Sequence, residues 1–280
     1  MVQTNRPRNE RHASGQRAGR PPDRPVRGSR CHTTRTHLLD RRDQPAVTDA
    51  DEFDADSDRA RRRRVRDGYD ALADAYGKSR DPPEAPLVES FLADLSAGSR
   101  LLDAGCGQGT PVLDRLPAGV AGVGVDFSVE QLRRARGVTD AALVRGDLTA
   151  LPVADASVDA VTALHSLIHV PDAQQPAVFA EVARVTRPGA RLLVTAGTGP
   201  WTGANDDWLG SGVRMEWSFP GVETTRERLG EAGFRVTDEA YVPDELADDG
   251  DGEGSEDSEA DEDGEDGGGW LFLTAEKRER

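Results

Sequence analysis

Apolar and polar positions between residues 98 and 198 alternate in a regular way. Short apolar runs at 100–104, 118–126, 141–145, 158–164 and 191–197 are each bounded by turn residues, the signature of buried strands. Amphipathic stretches separate them. SVEQLRRAR opens with a capping box, Ser128 to Gln131, and 174–186 gathers Val178, Phe179, Val182 and Val185 on one face before Arg187-Pro188-Gly189 stops it. Upstream, Val65, Tyr69, Leu72, Ala73 and Tyr76 recur at helical spacing from about residue 57, with Arg61 to Arg64 expected on the solvated face. A helix over 84–96 brings Leu87, Phe91, Leu92 and Leu95 inward. Downstream, a helix over 223–234 precedes strands at 235–242 and 270–277. Strands alternating with helices predict an α/β, doubly wound, Rossmann-like sheet in a single domain over 57–277, with its core at 98–198.

The first strand empties into LLDAGCGQGT. Gly105, Cys106, Gly107, Gln108 and Gly109 form a tight turn, with a helix expected from Thr110. Glycine permits positive φ and removes the Cβ that would hold a ligand away from the main chain. The spacing is G-x-G-x-G, one residue shorter than the dinucleotide fingerprint. Asp126 ends the second strand 21 residues after Gly105, where an acid accepts both hydroxyls of a ribose.

Asp103, Gly105, Gly107 and Gly109, the acid Asp126, the Gly146-Asp147-Leu148 step, LHSLIHVPD and the RPGA turn occur in one order. That order resembles the class I S-adenosylmethionine-dependent methyltransferases over about 65–277. The resemblance implies seven strands, the last antiparallel and hairpinned to the sixth, and S-adenosyl-L-methionine as cofactor. It implies cofactor contacts at Asp103, Gly105, Cys106, Gly107, Gly109 and Asp126, with Phe127 against the adenine, Asp147 at its amino group and the Leu148 amide at a ring nitrogen. A tyrosine, Tyr69 or Tyr76, would close over the methionine part. LHSLIHVPD would face the methyl group, with His165 or His169 as base where the acceptor carries a proton. The amino-methyltransferase signature [DNS]-P-P-[YF] is missing there, and Asp81-Pro82-Pro83 runs instead into Glu84.

The stretch after the fifth strand has many glycines, no clear period, and Trp201, Trp208, Met215 and Trp217. It reads either as a long aromatic loop binding an acceptor with an apolar or planar part, or as a satellite core beneath a loop. The leading function is methyl transfer to a small-molecule acceptor. A cofactor-binding sensor or non-catalytic partner subunit of the same fold is the alternative, and the glycine spacing disfavours a nicotinamide-dependent oxidoreductase.

Charge modifies this picture at two places. Residues 1–46 hold eleven Arg and four acids, a net of +7 in a chain of net −16, leaving −23 on the rest. The extension 1–56 cannot bury a core and is expected to be disordered, either a tail or sequence upstream of a later start. Residues 244–266 hold fourteen acids and no base, an insertion (244–268) within the last hairpin that cannot fold by itself. It is expected to leave from the crevice edge and to screen the entrance against anionic acceptors. Lysine occurs only at 78 and 277. Acid excess with scarce lysine fits a haloarchaeal source in concentrated salt, though a GC-rich genome also replaces lysine by arginine. An acidic body argues against nucleic acid, and two cysteines with no long apolar run fit a cytoplasmic protein without a membrane span. Cys31, His32 and His37 lack a fourth ligand, so no metal is expected.

Overall fold

A computed structural model describes residues 55–76, 82–208, 210–243 and 269–279. The basic extension up to residue 54, with Cys31, His32 and His37, and the acidic segment 244–268 lie outside the described residues. Elements follow in the order α1 (Ala55–Tyr76), α2 (Ala85–Ala93), β1 (Arg100–Ala104), β2 (Ala121–Asp126), α3 (Val129–Ala135), β3 (Ala142–Arg145), β4 (Val158–Ala163), α4 (Gln175–Val185), β5 (Thr186–Ala196), β6 (Pro200–Trp208), β7 (Val213–Pro220), α5 (Val222–Glu231), β8 (Phe234–Pro243) and β9 (Gly269–Lys277).

Seven strands form one sheet in the order β3-β2-β1-β4-β5-β9-β8. The first five pair in parallel, and β9 runs antiparallel to both β5 and β8. This is the expected α/β Rossmann-like fold with its reversed C-terminal strand. Parallel strands must be covered on both faces, and the period-two alternation divides them accordingly. Leu102, Val161 and Val194 join Phe179 and Val182 of α4 and Leu229 of α5 on one side. Leu101, Ala160 and Leu193 join Val88, Phe91 and Leu92 of α2 and Leu132 of α3 on the other. Among the described residues no helix is long and apolar enough to cross a membrane.

Five local expectations are corrected. Only a 3-10 turn, Leu113–Arg115, follows the glycine turn, so no long helix aims its dipole there. Arg187-Pro188-Gly189 does not separate α4 from the strand. β5 already pairs at Thr186, and its next partner is Arg191, so the intervening residues bulge out. The capping box is half made: Ser128 Oγ accepts from the Gln131 N–H at 3.1 Å, while the Ser128 N–H donates to Asp126 Oδ1 at 2.8 Å instead of to Gln131.

The fourth correction is the largest. The aromatic stretch is a β-hairpin, β6 against β7, not a structureless loop. Met215, Trp217 and Phe219 alternate inward along β7 and, with Trp208, cluster with Val65 and Leu72 of α1 and Ile168. The helix approaches closely at Gly68, where a Cβ would lie 2.6 Å from Met215 Sδ. Arg61 is not solvated. It is buried on this same face with Nε 3.4 Å from Glu216 Oε2, while Arg64 Nε reaches Glu216 Oε1 at 2.8 Å.

Candidate functional site

Sheet order reverses between β1 and β4, and a cleft opens at the carboxyl ends of these strands, where open α/β sheets take their ligands. Gly105 and Gly107 line it after β1, Asp126 and Phe127 after β2, Gly146, Asp147 and Leu148 after β3, and Leu164, His165 and Ser166 after β4. Arg62 and Tyr69 of α1, with His169 and Val170, complete the wall. Free space, open mouth included, is about 740 Å³.

The turn geometry explains its glycines. Gly105 has φ +85°, and a Cβ there would stand 2.3 Å from Ser166 Cβ. Gly107 has φ +51° with nothing within 4 Å of a Cβ position, leaving its main chain open to the cleft. Asp126 ties this turn to the second strand. Its Oδ2 accepts from the Gly107 N–H at 2.9 Å and its Oδ1 from the Ser128 N–H at 2.8 Å. Burial raises its pKa to about 6, against the pull of those N–H groups.

Three of the predicted cofactor residues do not line the cleft. Asp103 is buried under the turn, where Thr162 Oγ1 donates to its Oδ1 at 2.8 Å and burial raises its pKa to about 7. The Cys106 side chain points into the α2 side of the core, and burial pushes its thiol up. Gly109 packs near Ala135 and Val138. These residues shape the turn from behind.

Asp147 stands at the β3 end of the cleft. Its Oδ1 accepts from Thr149 N at 2.9 Å and Thr149 Oγ1 at 2.7 Å, and its Oδ2 from Arg62 Nη1 at 2.9 Å. Arg62 thus bridges α1 to this loop, a contact between residues 85 positions apart. Nothing in the local pattern marked it.

The two histidines differ sharply. His169 is buried, with Nδ1 3.1 Å from the Glu216 carbonyl and Nε2 2.7 Å from the Tyr69 hydroxyl. A carbonyl only accepts, so Nδ1 carries the hydrogen and Nε2 accepts from Tyr69. Burial lowers the His169 pKa to about 4, which keeps the ring neutral at physiological pH. His165 is part-exposed at φ +50°, with Nε2 3.3 Å from Glu84 Oε1. Glu84 is buried at the start of α2. Burial acts to raise its pKa, but the hydrogen bond and charge of His165 outweigh it and hold the carboxyl below its ordinary range. Trp270 and Phe272 of β9 meet the His165 ring edge to face at 4.7 and 5.7 Å.

Of the aromatic residues expected at an acceptor, Trp208, Met215 and Trp217 are fully buried and Trp201 partly so, and none lines the cleft. Trp208 packs edge to face on Tyr69 at 5.8 Å, and Trp217 lies 6.0 Å from His169. They support the Tyr69–His169 pair from behind. The side chain of Tyr76 lies outside the described residues. Among the described residues no group of three or more His, Cys, Asp or Glu is arranged to hold a metal.

A parallel sheet with a reversed last strand, a G-x-G-x-G turn after β1 and an acid closing β2 define the class I S-adenosylmethionine-dependent methyltransferase type. Residues 102–194 match the family described as "Methyltransferase domain". The chain is 46% identical over 110 residues to a demethylmenaquinone methyltransferase of Beutenbergia cavernae, covering 37% of this chain and 43% of the relative. It is 37% identical over 153 residues to the 27-O-demethylrifamycin SV methyltransferase of Amycolatopsis mediterranei, covering 45% and 56%. The chain therefore spans about half the length of these curated relatives. Magnesium protoporphyrin IX methyltransferase from Synechocystis, solved with bound SAM, shares the fold at TM-score 0.53 and 19% identity, over 82% of this chain and 100% of that one.

Proposed function

We propose that this protein transfers a methyl group from S-adenosyl-L-methionine to a small-molecule acceptor that gives up a proton in the step. The observation that carries the proposal is the Glu84–His165 pair: His165 lines the same cleft as the glycine turn and Asp126, and the buried Glu84 holds it from behind.

The residues fit the cofactor. The exposed main chain at Gly107 suits the amino-acid end, Asp126 the sugar hydroxyls, and Asp147, the Leu148 amide and Phe127 the adenine. When bound, that group supplies an electrophilic methyl on a sulfonium centre. The chain's own residues do the rest. They align the acceptor, exclude water and take its proton. His165 is the base in this account, and the Glu84 carboxylate steadies the imidazolium that forms. Tyr69, its hydroxyl directed by His169 Nε2, orients the acceptor. The relatives' names, a demethylmenaquinone and an O-demethylrifamycin methyltransferase, support an organic small molecule as acceptor.

Radiolabelled methyl transfer to a panel of phenols, quinols and thiols tests this. His165→Asn is expected to lower kcat by about 100-fold or more with S-adenosylhomocysteine affinity retained. Unchanged turnover in that variant would remove His165 from the chemistry. Tight cofactor binding with no transfer to any acceptor would favour the sensor or partner-subunit reading.

A further inference from the structure

α1 carries arginine at 59, 62, 63 and 66, the i, i+3, i+4, i+7 spacing of a single helical stripe. The opposite face, Arg61, Val65, Gly68 and Leu72, is the buried one. Together with Arg145 at the end of β3, the stripe lines a second cleft of about 880 Å³, open mouth included, walled also by Phe127, Gly146 and Asp147. His165 and Glu84 are not part of this cleft, so it stands apart from the proposed acceptor end.

Among the described residues three of these five guanidinium groups, those of Arg59, Arg63 and Arg145, have no acidic partner. Arg59 and Arg63 make no hydrogen bond or ion pair with any described residue. Arg145 Nε meets only the Phe127 carbonyl, at 3.2 Å. Arg66 pairs with its exposed neighbour Asp67 at 2.7 Å. Arg62 Nη1 bonds Asp147 and Thr149 Oγ1, but its Nε is buried with no partner. Elsewhere acids abound: Arg184 is gripped by Glu181 and Asp155, and Arg226 by Glu223 and Glu239. In a chain of net −16, a stripe whose like charges repel at 59/63 and 62/66 runs against the general balance. Such like-charge i, i+4 pairs are destabilising until an anion lies between them.

We infer that this cleft is a binding site for the phosphate or pyrophosphate group of a small molecule. A carboxylate satisfies one guanidinium fork. A tetrahedral, multiply charged oxyanion accepts from several at once, which is what arginines lining one cleft offer. A long nucleic acid would have to lie across the acidic body beyond the cleft, so the ligand is small.

Isothermal titration of the full chain with inorganic pyrophosphate, at ionic strength held constant with KCl, tests the site. Saturable binding is expected, and the Arg59→Gln/Arg63→Gln variant is expected to bind at least about tenfold more weakly. S-adenosylhomocysteine affinity should be unchanged in that variant, because neither residue lines the cofactor cleft; this also reports that it folds. Parallel titrations with orthophosphate and glycerol 3-phosphate separate a free anion from a phosphate carried on an organic molecule. Absence of saturable binding, equal binding by the variant, or binding of a single-stranded oligonucleotide alone would overturn the inference. The readout needs no methyl transfer, so its failure leaves the methyltransferase proposal standing.

Discussion

At Gly105 the backbone needs positive φ while Ser166 fills the space a side chain would take. Gly105→Ala is therefore expected to cost about 2–4 kcal/mol in urea unfolding and to weaken S-adenosylhomocysteine binding; a variant as stable as the parent would contradict the turn geometry. His169 makes a pH prediction. Its pKa of about 4 lies below the ordinary 6.5, so between those values the unfolded chain binds the extra proton and stability falls as pH drops from 6.5 toward 4. Asp103 and Asp126 act the other way. Their raised values, about 7 and about 6, mean that the folded state holds the extra protons from about pH 4 upward, and stability falls as pH rises through that window. The readout is thus the difference between parent and His169→Asn, whose acid-side loss should be smaller; equal losses would mean that His169 is not buried neutral. Residues joined by short spacing, such as Gly105, Gly107, Asp126 and the Ser128 cap, were legible in the sequence. Glu84 and Arg62 were not, because their partners His165 and Asp147 come from strands that only the sheet order brings near.

At the scale of elements, α1 is held by the hairpin β6–β7 through Val65, Leu72, Trp208, Met215 and Trp217. Trp217→Ala is expected to destabilise by about 3–5 kcal/mol and to raise amide exchange along α1 before the rest of the sheet. Uniform exchange across both would contradict a separate cluster. Glu216→Gln leaves the buried Arg61 guanidinium without its nearest countercharge, an expected loss of about 3 kcal/mol; a change within experimental error would mean that Arg61 is solvated after all. Parallel strands and flanking helices were legible because buried apolar runs and helical stripes leave periodic marks. The hairpin was hidden by its glycines, with Gly210 and Gly212 at positive φ in the turn. The signal that marks it is the alternation Met215, Trp217, Phe219, which is a strand's period and not a loop's.

Among the described residues the arginines are mostly paired, and the cleft at the strand ends shares with the arginine cleft the wall made by Arg62, Phe127, Gly146 and Asp147. A net charge of −16 destabilises the compact state by self-repulsion, which salt screens as the Debye length falls toward ~3 Å at 1 M. The thermal midpoint should rise steadily with KCl up to molar concentrations, and a flat midpoint would argue against adaptation to salt. Charge composition was legible at once. Where the cations gather was not, since the stripe on α1 becomes a cleft only when Arg145 meets it from β3. The most direct test of the account is calorimetric titration with S-adenosylhomocysteine of the parent and of Asp126→Ala with unchanged far-UV circular dichroism. Saturable binding by the parent, no comparable binding of NAD, and an affinity about 10- to 100-fold weaker in the variant are expected; equal affinity in both proteins would remove Asp126 from cofactor binding.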